Sequence, residues 1–284
     1  MQKEYQLIET ERELTAYLEL LKEERIRLIS VDIEGEFNLH VYGEKLCLIQ
    51  IYDGKRRVVI DPFPFTNEQL NAVFADDKIV KIMYDASSDA SLLKNHYEVD
   101  VRSVLDLRIA VELLDFEKKN LHFVLNHLLG TQLESKGKFQ RHNWTRRPLD
   151  PAAVAYALGD VIYLFEAKDK ILSLLAEQGL YEEFLLRSIV QQNKNYRKNL
   201  ADRHKNFKGY KRFSPREKKI FKELYYIRDR YAQKLNVPPN LMMENKEIYP
   251  LLKDLNHVKT IRFHRRIKPG VARSFQEEVL GISL

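Results

Sequence analysis

The chain has 284 residues, 44% of them hydrophobic, which is enough to bury one large core or two smaller ones. Its longest apolar runs fall well short of the roughly 18–20 residues that cross a bilayer, Met1-Gln2-Lys3-Glu4-Tyr5 lacks the apolar stretch of a signal peptide, and Cys47 is the single cysteine, which excludes a disulfide framework or a Cys-based zinc site. The net charge of +6 hides a division: residues 1–180 carry 23 Lys+Arg against 30 Asp+Glu, and residues 181–284 carry 24 against 11. A cytoplasmic protein is expected, and its basic back half suits either nucleic acid or plain solvation.

Thr10 and Glu13 form a capping box that starts a helix running to about residue 24. Strands are predicted over 27–34, 46–52 and 56–61, with Asp53-Gly54 as a hairpin turn between the last two. After Pro62 the pattern alternates: helix 67–75, strand 79–84, helix 87–95, strand 103–106, and helices near 107–114 and 121–129. Three early antiparallel strands followed by alternating helix and strand imply an α/β domain with a mixed sheet. Everything from residue 151 onward reads as helical.

Within the first strand, Asp32 and Glu34 are two residues apart and therefore project from one face. Two acids aimed at one point repel and lose hydration as a core closes around them. A divalent cation between them would reverse that cost. Asp89 opens a helix after an apolar strand, where α/β folds place active-site groups, although an acid there also stabilises a helix start. Asp150 and Pro151 begin a helix on which Tyr156 and Asp160, four residues apart, share a face; alone, they would pass as a surface hydrogen-bonded pair.

Asp32-x-Glu34, Asp89 and Tyr156-x-x-x-Asp160, in this order on strand, helix and helix, resemble the DEDDy 3′–5′ exonucleases, and most of all the ribonuclease D-like group. Leu48-Ile49-Gln50, Val104-Leu105-Asp106 and the segment from Lys138 through Asn143-Trp144 to Arg147-Pro148-Leu149 strengthen the likeness, which covers about residues 5 to 195. The resemblance implies an RNase H-like mixed sheet flanked by helices, and two Mg²⁺ or Mn²⁺ ions. By the same resemblance, Asp32 bridges both ions, Glu34 and Asp160 hold the one that activates water, Asp89 steadies the other, and Tyr156 orients the attacking water. Gly35, Glu36 and Phe37 would meet the terminal nucleotide, the first two through their backbone, and Lys138 and Arg146 would meet phosphates. Arg147 equally suits a loop brace, and Trp144 a core anchor. Two positions depart from the pattern: Asn143 stands where an Asp usually precedes the Trp, and Tyr84 replaces a frequent His.

Residues 196–213 are polar and basic and read as a linker. Ser214-Pro215-Arg216-Glu217 then gives an N-cap, a proline at the first helical position and a capping-box acid. Ile220, Leu224, Ile227, Tyr231 and Leu235 make the buried stripe of that helix. With Asn236-Val237-Pro238-Pro239 following, residues 214–284 resemble the helicase-and-RNase-D C-terminal (HRDC) module, which implies a small all-helical nucleic-acid-binding domain behind an exonuclease domain of residues 1–195. The expected function is 3′–5′ hydrolysis of RNA, such as tRNA precursors, to nucleoside 5′-monophosphates, without an obligate protein partner. A DNA exonuclease on the same core and a non-catalytic nucleic-acid-binding protein are the alternatives.

Overall fold

A computed structural model describes residues 5–131, 139 and 141–283. The chain divides into two compact units, Met1–Gly35 with Lys45–Lys198, and Glu36–Glu44 with Asn199–Leu284.

The first unit is built on a six-stranded sheet in the order β1-β4-β3-β2-β5-β6. Its strands are β1 (Gln6–Ile8), β2 (Leu28–Phe37), β3 (Glu44–Tyr52), β4 (Arg57–Ile60), β5 (Val80–Met83) and β6 (Val104–Asp106). β3 and β4 are antiparallel, whereas β1 with β4, β2 with β5 and β5 with β6 are parallel, so the sheet is mixed as expected. β1 was not foreseen, and it lines the edge of the sheet through pairs such as Gln6 with Val58.

Period-two alternation gives the two faces of the sheet different work. Ile29, Val31 and Ile33 of β2 are buried with α1 (Glu11–Glu23), α2 (Asn67–Phe74) and α3 (Ser87–Tyr97). Ser30, Asp32 and Glu34 therefore face the other side. Here α6 (Pro151–Ile162) supplies Val154, Ala157 and Val161 to a core with Cys47, Leu48, Val59 and Trp144. On the same side Ile82 of β5 joins α4 (Leu107–Leu113), α5 (Leu121–Leu129), α7 (Leu164–Glu177) and Phe184 of α8 (Tyr181–Gln192). The Thr10–Glu13 capping box forms at α1 as expected.

The second unit is helical. α9 (Pro215–Leu235) starts at the Ser214–Glu217 capping box and buries Ile220, Leu224 and Ile227. α10 (Pro239–Met242), α11 (Ile248–Lys253) and α12 (Pro269–Leu280) complete a core that includes Leu251, Phe275 and Val279. The stretch 196–213, expected to be a linker, contains two 3₁₀ turns, and its Phe213 is buried against Phe221 at 5.4 Å between ring centroids. Phe207 packs on the same ring at 4.9 Å. The polar composition concealed these aromatic anchors. The segment Glu36–Glu44 belongs to this unit through Tyr42, whose hydroxyl donates to Asp229 at 2.8 Å. Among the described residues, no helix is long and apolar enough to cross a membrane.

Candidate active site

Asp32, Glu34 and Asp160 converge: one carboxylate oxygen from each lies within 4.8 Å of the others. β2 delivers the first two on one face, and α6 crosses that face to deliver the third. Ser30, fully buried one pleat before Asp32, fixes the crossing. Its hydroxyl lies 2.8 Å from the Val161 carbonyl of α6 and 3.3 Å from the Tyr52 carbonyl of β3.

The electrostatics record the crowding. Burial, then the charges of Asp89, Asp160 and Glu34, hold the Asp32 carboxyl well above the ordinary carboxylate range. Asp89 is not one of the three converging groups, yet its charge is the largest of those acting on Asp32. Burial, followed by the charges of Asp85 and Asp106, pushes Asp89 itself up to about 7, against the opposing hydrogen bond from Ser88. Tyr156 sits one helical turn before Asp160. Burial first, and then the charges of Asp160, Glu34 and Asp32, raise its phenol above the usual value. All five groups of the sequence pattern thus share one electrostatic environment.

The scaffold around Asp89 is itself anchored. Asp106, at the end of β6, accepts from the backbone N–H groups of Asp85 at 2.8 Å, Ala86 at 3.0 Å and Arg108 at 3.0 Å. It therefore pins the turn that launches α3 while capping α4. Asp85 occupies the left-handed region at φ 61°, a conformation that this clasp stabilises.

Of the proposed substrate contacts, Lys138 lies outside the described residues. Arg146 is exposed, whereas Arg147 is committed to the scaffold. Its guanidinium pairs with Asp61 and donates to the carbonyls of Trp144, Arg146 and Cys47 at 2.8–2.9 Å. The Glu36 side chain is 2% exposed and accepts from the backbone of Leu39 and of His40, the latter at 2.8 Å, so only its backbone remains for a ligand. Gly35 precedes it in β2, and the Phe37 ring that follows is half exposed. Trp144 is buried as a core anchor.

Both departures from the family pattern have structural work. Asn143 Oδ1 accepts from the Thr145 hydroxyl at 2.6 Å and its N–H at 3.2 Å, bracing the loop without a charge. The Tyr84 hydroxyl donates to the Lys119 carbonyl at 2.7 Å, tying the end of β5 to the loop before α5. One contact at the acid cluster had no sequence signal. His122, in the first turn of α5, places Nε2 3.2 Å from Asp160 Oδ1, with its ring 6.1 Å from that of Tyr156.

One carboxylate oxygen each from Asp32, Glu34 and Asp160 makes a donor set that suits a hard divalent cation, since like-charged oxygens repel one another until a cation joins them.

Comparison with known proteins agrees with this geometry. A family model described as 3′–5′ exonuclease matches residues 5–176. Ribonuclease D of Xanthomonas oryzae pv. oryzae is 33% identical over 174 residues, covering 59% of this chain and 45% of that protein. The exosome complex exonuclease RRP6 of Saccharomyces cerevisiae is 25% identical over 272 residues, covering 86% of this chain and 35% of the relative. The chain thus spans less than half the length of these curated relatives. Among solved structures, Escherichia coli RNase D superposes with a TM-score of 0.73 at 20% identity, covering 98% of this chain and 76% of that one. The catalytic core of RRP6 from Trypanosoma brucei gives 0.76 at 21% identity, covering 99% and 81%. At such identities these two likenesses show a shared fold.

Proposed function

This chain belongs to the 3′–5′ exonuclease family, and from that premise we propose that it is a metal-dependent exoribonuclease that removes nucleoside 5′-monophosphates from RNA 3′ ends. The observation that carries the proposal is the convergence of Asp32, Glu34 and Asp160 within 4.8 Å, at a site where burial and neighbouring acids raise the proton affinity of Asp32. RNA is favoured over DNA because the relatives above are named as ribonucleases or exosome exonucleases. A structured RNA such as a tRNA precursor is the substrate class we propose, since the solved E. coli relative is described as an exoribonuclease involved in structured RNA processing.

In this mechanism Asp32, Glu34 and Asp160 would hold two divalent ions, with Asp89 steadying the second. Bound there, such ions supply water activation, charge neutralisation at phosphorus and stabilisation of the leaving oxygen. Tyr156 orients the attacking water with its hydroxyl. Its raised pKa keeps the phenol protonated, which suits positioning and not proton abstraction. The backbone of Gly35 and Glu36, together with Phe37, would hold the terminal nucleotide. Lys138 and Arg146 would meet phosphates behind it.

The proposal extends to the domains. Residues 1–195 would form the exonuclease domain, with residues 196–213 joining it to an HRDC-like helical module of residues 214–284 that assists nucleic-acid binding. Support comes from the excess of 24 Lys+Arg over 11 Asp+Glu in residues 181–284. The protein would act in the cytoplasm and, because one chain supplies every acid of the cluster, without an obligate protein partner.

Single-stranded RNA and DNA of one sequence, labelled at the 5′ end and incubated with Mg²⁺, Mn²⁺ or EDTA, test the proposal. Metal-dependent ladders shortening from the 3′ end of RNA are expected. Faster loss of DNA would establish the DNA exonuclease alternative. Inertness toward both with either metal would leave only a binding protein.

A further inference from the structure

His122 is joined to the acid cluster by geometry that the family pattern does not contain. Its Nε2 lies 3.2 Å from Asp160 Oδ1, and both side chains are mostly buried, with 16% and 11% exposure. In this bond the imidazole serves as the donor when Nε2 carries the hydrogen and the carboxylate oxygen accepts.

The imidazole is held where it is by a chain of neighbouring bonds. The Lys119 carbonyl receives Tyr84 Oη and Arg108 Nη1, each at 2.7 Å. Asn120 then caps α5, its Oδ1 accepting from the Phe123 N–H at 3.0 Å. His122 follows two residues later on a helix whose start is therefore tethered to β5 and α4. Its ring also lies 6.1 Å from Tyr156, one turn before Asp160 on α6. It thus adjoins both members of the Tyr156–Asp160 pair.

We propose that His122 is a positioning residue that holds Asp160 Oδ1 and so presents Asp160 to the metal as a one-oxygen ligand. The inference rests on the metal-site reading above. The physical reason is repulsion: three carboxylates within 4.8 Å of one another drive each other apart, and Asp160 can escape by rotating its side chain. A donor on one oxygen opposes that rotation and leaves the other oxygen free. Outer partners of this kind orient ligands and tune affinity. A one-oxygen ligand also suits small ions of strict octahedral geometry, whereas a carboxylate with both oxygens free can clasp a larger ion such as Ca²⁺.

The test is Mn²⁺ binding to the purified full chain, measured by calorimetry and by the electron paramagnetic resonance signal of free Mn²⁺, with Ca²⁺ as competitor. His122→Leu removes the donor, and His122→Gln keeps one at the end of a flexible side chain. His122→Leu should weaken Mn²⁺ binding roughly 10- to 100-fold and Ca²⁺ binding less. His122→Gln should recover most of the loss, and the melting temperatures of both metal-free variants should stay close to the parent's. Unchanged Mn²⁺ affinity in His122→Leu would overturn the proposal. Equal Mn²⁺ and Ca²⁺ losses would overturn the one-oxygen assignment, and equal losses in both variants with lowered melting temperatures would make His122 a packing residue. A parent chain that binds no Mn²⁺ would instead refute the metal-site reading itself, and this inference with it.

Discussion

Asp89→Asn replaces a crowded carboxylate with a neutral group of the same shape, and so isolates the cost of charge at the site. In the metal-free protein, burial and then the charges of Asp85 and Asp106 push this carboxyl from 3.8 up to about 7. An acid whose folded pKa is raised binds its proton more tightly in the folded state. Its stabilising contribution is complete below about pH 4 and is lost as pH rises through about 7. A rise of about three on the pKa scale, at about 1.4 kcal/mol for each, puts the loss near 4 kcal/mol by pH 8. Against this, Asp89 lies in the first turn of α3, where a negative charge stabilises the helix by about 0.3–1 kcal/mol. Asp89→Asn should therefore stabilise the metal-free protein by about 3 kcal/mol at pH 8. At pH 5, where the folded parent carries the proton but its unfolded chain does not, the gain should shrink to about 1.5 kcal/mol. Urea titrations in EDTA at the two pH values measure this difference directly. Saturating Mg²⁺ should then reverse the order, because a ligand that binds the folded state stabilises whichever protein binds it better. A variant less stable than the parent at pH 8, or a gain of equal size at both pH values, would refute the reasoning.

Asp32→Ala and Asp160→Ala should each lower turnover by about 10³-fold or more, which is about 4 kcal/mol of transition-state stabilisation, with the circular dichroism spectrum unchanged; either variant retaining a tenth of parental activity contradicts the ligand assignment. Tyr156→Phe should reduce kcat roughly 10²-fold through misplaced water. The shape of its pH–rate profile from pH 7 to 9 should match the parent's, because burial and three acids keep the phenol protonated, and an ionisation that disappears with the hydroxyl would count against the positioning role. Arg147→Ala should destabilise the protein by about 3 kcal/mol by stranding buried Asp61, and an unchanged urea midpoint would show the brace to be unimportant. Replacing exposed Arg262, Arg265, Arg266 and Lys268 with Ala together should reduce the slope of log binding constant against log salt by up to about 3 for single-stranded RNA. An unaltered slope would remove this loop from the nucleic-acid contact.

Elements whose causes are local could be read from the sequence. The Thr10–Glu13 and Ser214–Glu217 boxes mark α1 and α9, and both form as written. β1 lacks a local cause. Gln6–Ile8 is too short to show a period, and it becomes a strand only because β4, about fifty residues away, offers it an edge. The aromatic anchors of the stretch 196–213 escaped notice for a related reason: Phe207 and Phe213 have no helical spacing, and only the folded second unit shows that they converge on Phe221.

The same distinction separates the acids from what supports them. Asp32 and Glu34 are visible through the period of a strand, and Tyr156 and Asp160 through the turn of a helix. Ser30, Asp106 and His122 are not visible, because each acts on a partner far along the chain: Val161 131 residues from Ser30, Ala86 20 residues from Asp106, and Asp160 38 residues from His122. Yet these contacts give the acids their chemistry. Four carboxyl groups on free tethers would swing apart into water and titrate as ordinary acids. Ser30 locks β2 to α6, Asp106 locks the turn before Asp89, and His122 bonds to Asp160, so separation is closed off on three sides. Burial first, and then the repulsion that persists in the folded state, raise the proton affinity of Asp32. A proton is one cation that relieves it, and a divalent ion relieves it more completely. Rigidity of the surrounding hydrogen bonds is thus what would turn these acids into the cation site proposed above.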